Sequence, residues 1–267
     1  KTRNEILFLI MAKKIFIMGA STGIGKALAI NYAEKDVILG LASRRIDLLE
    51  IIKKECESLN CKTIIYKTDV RNTSECEQSA KDFIKEAGGI DILIANSGVG
   101  SSDGIFSGTS EKINRVLETN ILGVTNTILP FLPRMKEQKS GTIVVVSSVA
   151  SFIPIPHKGG YSASKVAVRR LFDSWRPILV DNGIKAVSIC PGFIDTPMTE
   201  KILFKPFLKN TNSASKAFIK AIADGKKTYI YPWQMKLFVK AFNILPQFFY
   251  DWVINKSKSS ITKYDKN

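Results

Sequence analysis

Short apolar runs, separated by polar and glycine-marked turns, set the rhythm of this 267-residue chain. They predict strands at Lys14–Met18, Val37–Ala42, Thr63–Thr68, Asp91–Ala95, Thr142–Ser147, Ala186–Cys190 and Thr228–Tyr231. Those through Cys190 are apolar almost without alternation, as expected of strands buried on both faces of a parallel sheet. Helical stretches lie between them. One is predicted over Ile24–Ala33, a second starts at Ser74 with Glu77 completing a capping box, and a third runs from Tyr161 to Val180 before Asn182-Gly183 stops it. Regular alternation of strand and helix predicts an α/β fold, a doubly wound parallel sheet forming one domain over residues 13–232. Ligands of such sheets bind beyond the carboxyl ends of the strands.

Residues 233–267 form an extension with a different pattern. From Leu237 to Trp252, Phe238, Ala241, Phe242, Leu245, Phe249 and Trp252 recur at steps of three and four, with Lys236, Lys240, Asn243, Gln247 and Asp251 opposite. This predicts an amphipathic helix interrupted at Pro246, with Trp233, Phe248 and Tyr250 adding aromatic surface. Its apolar face can pack on its own domain or a second subunit, roof a greasy pocket, or lie in an anionic membrane surface.

Charge sharpens this division. The chain carries a net +15, and residues 201–267 hold thirteen lysines against three aspartates, so two-thirds of the excess lies in the last quarter. Nucleic-acid binding could use such charge, but no recognition motif accompanies it, and none is expected. Cys56, Cys61, Cys76 and Cys190 form no C-x-x-C pair, and His157 is the only histidine. Reduced thiols, no metal site and a cytoplasmic location, with peripheral membrane contact as an option, are therefore expected. Ile6–Ile10 is a short apolar patch without a clear cleavage site, so residues 1–12 are read as an extension with Met11 the expected start. No apolar run reaches the ~18 residues of a membrane span.

Candidate chemistry lies at the strand ends. Gly19-Ala20-Ser21-Thr22-Gly23-Ile24-Gly25 follows the first strand and opens the first helix. There, glycines permit a tight turn and close backbone approach, and the helix start offers unpaired N–H groups to a phosphate. Further along, Tyr161 and Lys165 stand one helical turn apart on one face. A free tyrosine has a pKa of about 10, but an ammonium at ~4 Å and an effective dielectric of ~20 contributes about 4 kcal/mol, roughly three pKa units, toward the phenolate. The pair is thus expected to make an acid that exchanges its proton near neutral pH.

Gly19-x-x-x-Gly23-x-Gly25, Ala95-Asn96-Ser97-Gly98, Ser148, Tyr161-x-x-x-Lys165 and Pro191-Gly192, in this order and spacing, resemble the short-chain dehydrogenase/reductase family over roughly residues 13–199. Ser148 precedes Tyr161 by thirteen positions, the usual family spacing. The resemblance implies a Rossmann fold and hydride transfer between a nicotinamide cofactor and a carbonyl or alcohol. It implies that Tyr161 exchanges a proton with the substrate oxygen, Lys165 binds the nicotinamide ribose and lowers the Tyr161 pKa, Ser148 orients the same oxygen, and Asn120 supports a water-linked proton path to Lys165. Ser147 competes with Ser148, but spacing favours Ser148. The cofactor is expected to contact Gly19, Ser21, Thr22, Gly23, Ile24 and Gly25, then Asp69 and Val70 at the adenine, and Asn96 and Gly98 along its spine. Tyr161 and Lys165 complete this set with Pro191, Gly192, Ile194 and Thr196, whose loop closes over the nicotinamide amide.

After the second strand, Ala42-Ser43-Arg44-Arg45 lacks the carboxylate that an NAD site presents to the ribose. Arg44 and Arg45 suit a 2′-phosphate instead. A charge-assisted bond of about 1.5–3 kcal/mol would favour NADP(H) roughly ten- to hundredfold. Met18 stands where the family usually has threonine, and Ala95-Asn96-Ser97-Gly98 where Asn-Asn-Ala-Gly is common, which affects bonds bracing the cofactor loops. Cys190 is expected to be a small buried thiol and His157 an exposed loop residue. The sequence thus predicts an NADP(H)-dependent oxidoreductase for a hydrophobic ketone, aldehyde or matching alcohol, with a homodimer or homotetramer implied by the family. Its rival is a non-catalytic NADP-binding protein attached to a membrane or partner through the carboxyl-terminal region.

Overall fold

The computed structural model describes residues 12–200 and 202–244. Seven parallel strands form one sheet: β1 (Lys13–Met18), β2 (Val37–Ser43), β3 (Lys62–Lys67), β4 (Ile92–Ala95), β5 (Gly141–Val146), β6 (Ile184–Pro191) and β7 (Thr228–Tyr231). Their spatial order is β3-β2-β1-β4-β5-β6-β7. The chain therefore winds outward from β1 in one direction and then returns to build the other half from β4. The crevice between the carboxyl ends of β1 and β4 is the switch point where ligands bind in such sheets.

The period-two geometry of strands explains how apolar runs serve two cores. Ile15 and Ile17 face one side with Leu39, Leu41, Ile94 and Val187, against helices α1 (Gly23–Tyr32), α2 (Ile46–Glu57) and α8 (Thr211–Ala223). Phe16 and Met18 face the other with Leu93 and Val145, meeting α3 (Thr73–Ala87) and α7 (Gly159–Asp181) through Phe83, Val168 and Phe172. On this second side, α4 (Glu111–Leu117) passes through a π-helical turn at Glu118–Leu122 into α5 (Gly123–Ile128), and α6 (Leu132–Gln138) follows. Gly183, just past α7, has φ +77°, and a Cβ there would lie 2.1 Å from the Lys139 carbonyl, so this turn requires glycine.

Three expectations are corrected. Strand β3 is an edge, only partly buried along Ile64–Tyr66, because no further strand among the described residues extends the sheet beyond it. Helix α3 is capped two residues earlier than expected: Asn72 accepts the Glu75 N–H at 3.3 Å and donates to its carboxylate at 2.8 Å, while the other Glu75 oxygen accepts the Asp69 N–H. The sequence contains two overlapping box patterns, and the turn after β3 selects the first. Finally, α9 (Trp233–Phe242) packs Met235 and Val239 against Val149, Phe152, Ile153 and Phe193, and Phe242 is buried as well. Phe238 and Ala241, expected on the apolar face with Phe242, are exposed. The remainder of the expected amphipathic stretch, and the patch at Ile6–Ile10, lie outside the described residues.

Candidate active site

A cavity of about 230 Å³ opens at the switch point. At its β1 end, the chain turns at Gly19, whose φ is +89° and where a Cβ would lie 2.7 Å from the Ser97 nitrogen. Gly25 is outside the lining but sets the loop's depth, since a Cβ there would sit 2.1 Å from the Gly19 carbonyl. Asn96 lines the cavity and donates its side-chain amide to that same carbonyl at 2.8 Å, so it braces the glycine loop. Ser21, Thr22, Gly23 and Ile24 also line the cavity. Thr22 precedes α1 without a side-chain cap, which leaves the helix start available to an anion.

Basic residues gather beside this loop. Arg45 Nη2 donates to Ser21 Oγ at 2.8 Å and Thr22 Oγ1 at 2.9 Å, and Arg44 is 4.0 Å from Asp69. Both arginines border the cavity. Asp69 accepts a two-pronged bond from Arg71, with a closest approach of 2.7 Å, and this bond foremost holds its carboxyl below the usual range. Val70 lines the wall and packs against Gly123, where a Cβ would approach it to 2.6 Å. This end offers loop N–H groups, two hydroxyls and two guanidinium groups, a donor set that fits a dinucleotide bearing an additional phosphate.

At the β5 end, Ser148, Tyr161 and Lys165 line the same cavity. Ser148 Oγ accepts the Ala150 N–H at 3.1 Å and interacts with the Tyr161 phenol. Ser147 turns the other way, donating to the Lys165 carbonyl at 3.0 Å. Lys165 is buried, its Nζ donating to the Val146 carbonyl at 3.0 Å and standing 5.7 Å from the Tyr161 ring centroid. Burial pushes its pKa down to about 8. Burial also raises the Tyr161 pKa, and Ser148 offsets this in part. The expected lowering of Tyr161 by Lys165 is therefore not among the causes that set this pKa: the ammonium donates to a carbonyl, and burial foremost raises the phenol.

Asn120 is fully buried and outside the lining. Its Oδ1 accepts the Val99 N–H at 2.8 Å, and its Nδ2 donates to the Val99 carbonyl at 2.9 Å and Ser164 Oγ at 3.0 Å. The side chain expected in a proton path thus ties the loop after β4 to α7. Gly98 fits closely beneath, since a Cβ there would be 3.3 Å from both Asn120 Oδ1 and Lys165 Nζ. Pro191, Gly192, Ile194 and Thr196 line the cavity from the loop after β6, joined by Met198. Cys190 is a buried free thiol. His157, expected to be exposed, is half-buried, and its carbonyl accepts the Asp103 N–H at 2.8 Å.

Sequence reading missed two members of this assembly. Ser164 was visible only as a small residue between Tyr161 and Lys165. Asp103, buried and bonded to the N–H groups of Gly159 and Gly160, gave no local signal because its partners lie more than fifty residues away.

The family description "short chain dehydrogenase" matches residues 13–205. The chain belongs to the short-chain dehydrogenase family. Among curated relatives, "11-beta-hydroxysteroid dehydrogenase-like 2" of Arabidopsis thaliana is 32% identical over 89% of this chain and 79% of its own length. Among solved structures, an alcohol dehydrogenase from Thermococcus sibiricus, complexed with 5-hydroxy-NADP, is 26% identical with a TM-score of 0.73, covering 82% of this chain and 95% of that one. A short chain dehydrogenase from Mycobacterium paratuberculosis bound to NAD shares the fold at 21% identity and a TM-score of 0.75, over 82% and 96% of the two chains. Short-chain dehydrogenases are oxidoreductases, and their fold binds a nicotinamide cofactor.

Proposed function

We propose that this short-chain dehydrogenase is an NADP(H)-dependent oxidoreductase that interconverts a hydrophobic ketone or aldehyde and the matching alcohol. The observation that carries the reading is the convergence of Ser148, Tyr161 and Lys165 on the cavity that the glycine loop opens. When bound, the nicotinamide supplies or accepts hydride. Ser148 Oγ holds the substrate oxygen, and Tyr161 Oη gives it a proton in reduction or takes one in oxidation. A phenol raised by burial keeps its proton at neutral pH, which suits the donor role. Lys165, at about 8, is largely charged at pH 7 and favours the phenolate as the proton leaves.

Arg44 and Arg45 support NADP(H) over NAD(H). A hydrophobic substrate suits the segment after β6, where Met198 lines the cavity and Leu203, Phe204 and Phe207 further along are exposed, Phe204 by 72%. The reading also includes a homodimer or homotetramer, argued from the family, and a cytoplasmic location, argued from the reduced thiols. Fluorescence titration with NADPH and NADH tests the cofactor reading: NADPH should bind at least tenfold tighter. Equal affinities would overturn the NADP preference, and binding of neither would overturn the whole reading.

The outer face of α9 favours a further reading, peripheral contact with an anionic lipid surface. Trp233, Leu237 and Ala241 fall within a roughly 80° arc at 3.6 residues per turn, and Lys236 and Lys240 border it. Trp233 is 65% and Leu237 56% exposed. A net charge of +15 opposes burial of this face against a second copy and suits phosphate headgroups. Among the described residues no helix is long and apolar enough to cross a membrane, so contact would be superficial. The full chain should sediment with phosphatidylcholine vesicles containing phosphatidylglycerol, and Trp233→Ser/Leu237→Ser should reduce sedimentation at least fivefold. Equal sedimentation of both proteins, or dimerisation through this face in light scattering, would overturn the lipid reading.

A further inference from the structure

The loop after β4 carries Asn96 and Gly98 into the cofactor cavity, and α7 carries Tyr161 and Lys165. These segments are far apart in sequence, yet they must keep register for the phenol to meet substrate and cofactor together. Two ties join them on either side of Tyr161. One is Asn120, which holds both backbone groups of Val99 and the hydroxyl of Ser164. The other is Asp103: its Oδ1 accepts the Gly160 N–H at 3.0 Å, its Oδ2 accepts the Gly159 N–H, and its own N–H donates to the His157 carbonyl at 2.8 Å.

We propose that Asp103 is a positioning residue that locks the loop after β4 onto the first turn of α7 and so fixes Tyr161 over the cavity. Asp103 is only 6% exposed, and both carboxylate oxygens are used on the two N–H groups nearest Tyr161 that a helix start leaves unpaired. Negative charge at that end is also favoured by the helix dipole. Glycine at both partners permits the approach, since a Cβ on Gly159 or Gly160 would lie 3.1 or 3.2 Å from a carboxylate oxygen. Between the two ties, the loop touches the reactive ring: a Cβ on Gly100 would lie 3.6 Å from Tyr161 Cδ2. Loss of the Asp103 tie would free the amino-terminal turn of α7 while Asn120 still held the next, allowing the phenol to swing.

The inference rests on the oxidoreductase reading, and its test separates the two. NADPH oxidation with 4-nitrobenzaldehyde as probe would be followed for wild type, Asp103→Ala and Asp103→Asn, with NADPH affinity measured in parallel. A misplacement of about 1 Å can slow a reaction ~100-fold, so Asp103→Ala should lose about 30- to 100-fold in kcat with NADPH affinity within about threefold of wild type. Asp103→Asn keeps one acceptor oxygen but turns an amide NH2 toward the other glycine N–H, so it should recover part of the loss. Wild-type kcat in Asp103→Ala, or a loss shared equally by NADPH affinity and unrelieved by Asn, would overturn the assignment. Failure of wild type to use this probe would count against the substrate reading instead, and hydrogen exchange would then decide. Amides of Gly159–Lys165 should exchange faster in Asp103→Ala and recover in part in Asp103→Asn, whereas unchanged exchange would overturn the lock.

Discussion

Lys165 shows how one residue's environment alters its use. Its ammonium is buried on the Val146 carbonyl, with a pKa near 8 rather than the ordinary 10.5. Binding an anionic cofactor favours the charged form, so affinity is fully expressed below about pH 8 and falls as the free enzyme's lysine loses its proton above it. NADPH affinity should therefore weaken severalfold between pH 7 and 9.5, and Lys165→Met should bind more weakly at pH 7 with a flatter profile. Equal pH slopes in the two proteins would contradict this role. At the other end of the cavity, Arg45→Ala removes a guanidinium held by Ser21 and Thr22. It should cost NADPH roughly tenfold or more in affinity while leaving NADH within about twofold, as measured by fluorescence titration.

At the scale of elements, the strand–loop–helix unit around β1 is most sensitive to volume. Gly25→Ala would place a methyl 2.1 Å from the Gly19 carbonyl, a backbone atom with no rotamer to adopt. The variant should lose at least tenfold in cofactor affinity, and an unaltered titration would show that the loop has more slack than its packing suggests. Most elements were legible because the apolar runs are short, rich in β-branched residues and bounded by glycine and polar turns, which marks strands rather than helices, and all seven strands lie within two residues of their expected ends. The α3 cap was displaced because two Asx/Ser-x-x-Glu patterns overlap, and only the turn after β3 decides between them. On α9, nearly every turn offers an apolar residue on more than one face, so periodicity marked a helix but not its inward side. Motif spacing indicated Ser148, Tyr161 and Lys165, whereas Asp103 and the Val99–Asn120–Ser164 tie arise from contacts between distant segments.

The molecule as a whole has a pH-dependent stability to which its buried thiols contribute. Burial pushes Cys56, Cys76 and Cys190 up to about 12 from an ordinary 9. Above about pH 9 the unfolded chain releases protons that the folded one keeps, so these groups stabilise fully below that point and progressively less toward pH 12. Lys165 acts oppositely between about 8 and 10.5, where the folded state has already given up its proton, and Lys158, also lowered by burial, acts with it, but they are two groups against these three thiols and Cys61, which burial raises too. The urea midpoint should therefore fall between pH 9 and 11, and a rising midpoint would contradict the thiol assignment. Across the sheet, the glycine loop gathers at the β1 end and the proposed proton-transfer groups at the β5 end, so one cavity between β1 and β4 has room for both parts of the proposed site.

The central claim is proton exchange at Tyr161. Tyr161→Phe removes one hydroxyl and leaves the glycine loop, Arg44, Arg45 and Lys165 in place. Single-turnover NADPH oxidation against a panel of hydrophobic ketones and aldehydes, with NADPH affinity measured on the same samples, tests it most directly. Turnover by wild type, lost at least 1,000-fold in Tyr161→Phe at NADPH affinity within about threefold, is the expected result, in line with general acid–base contributions of about 10²–10⁴. Equal turnover by both proteins would contradict the account, and NADPH binding without turnover by wild type across the panel would favour a cofactor-binding role without this chemistry.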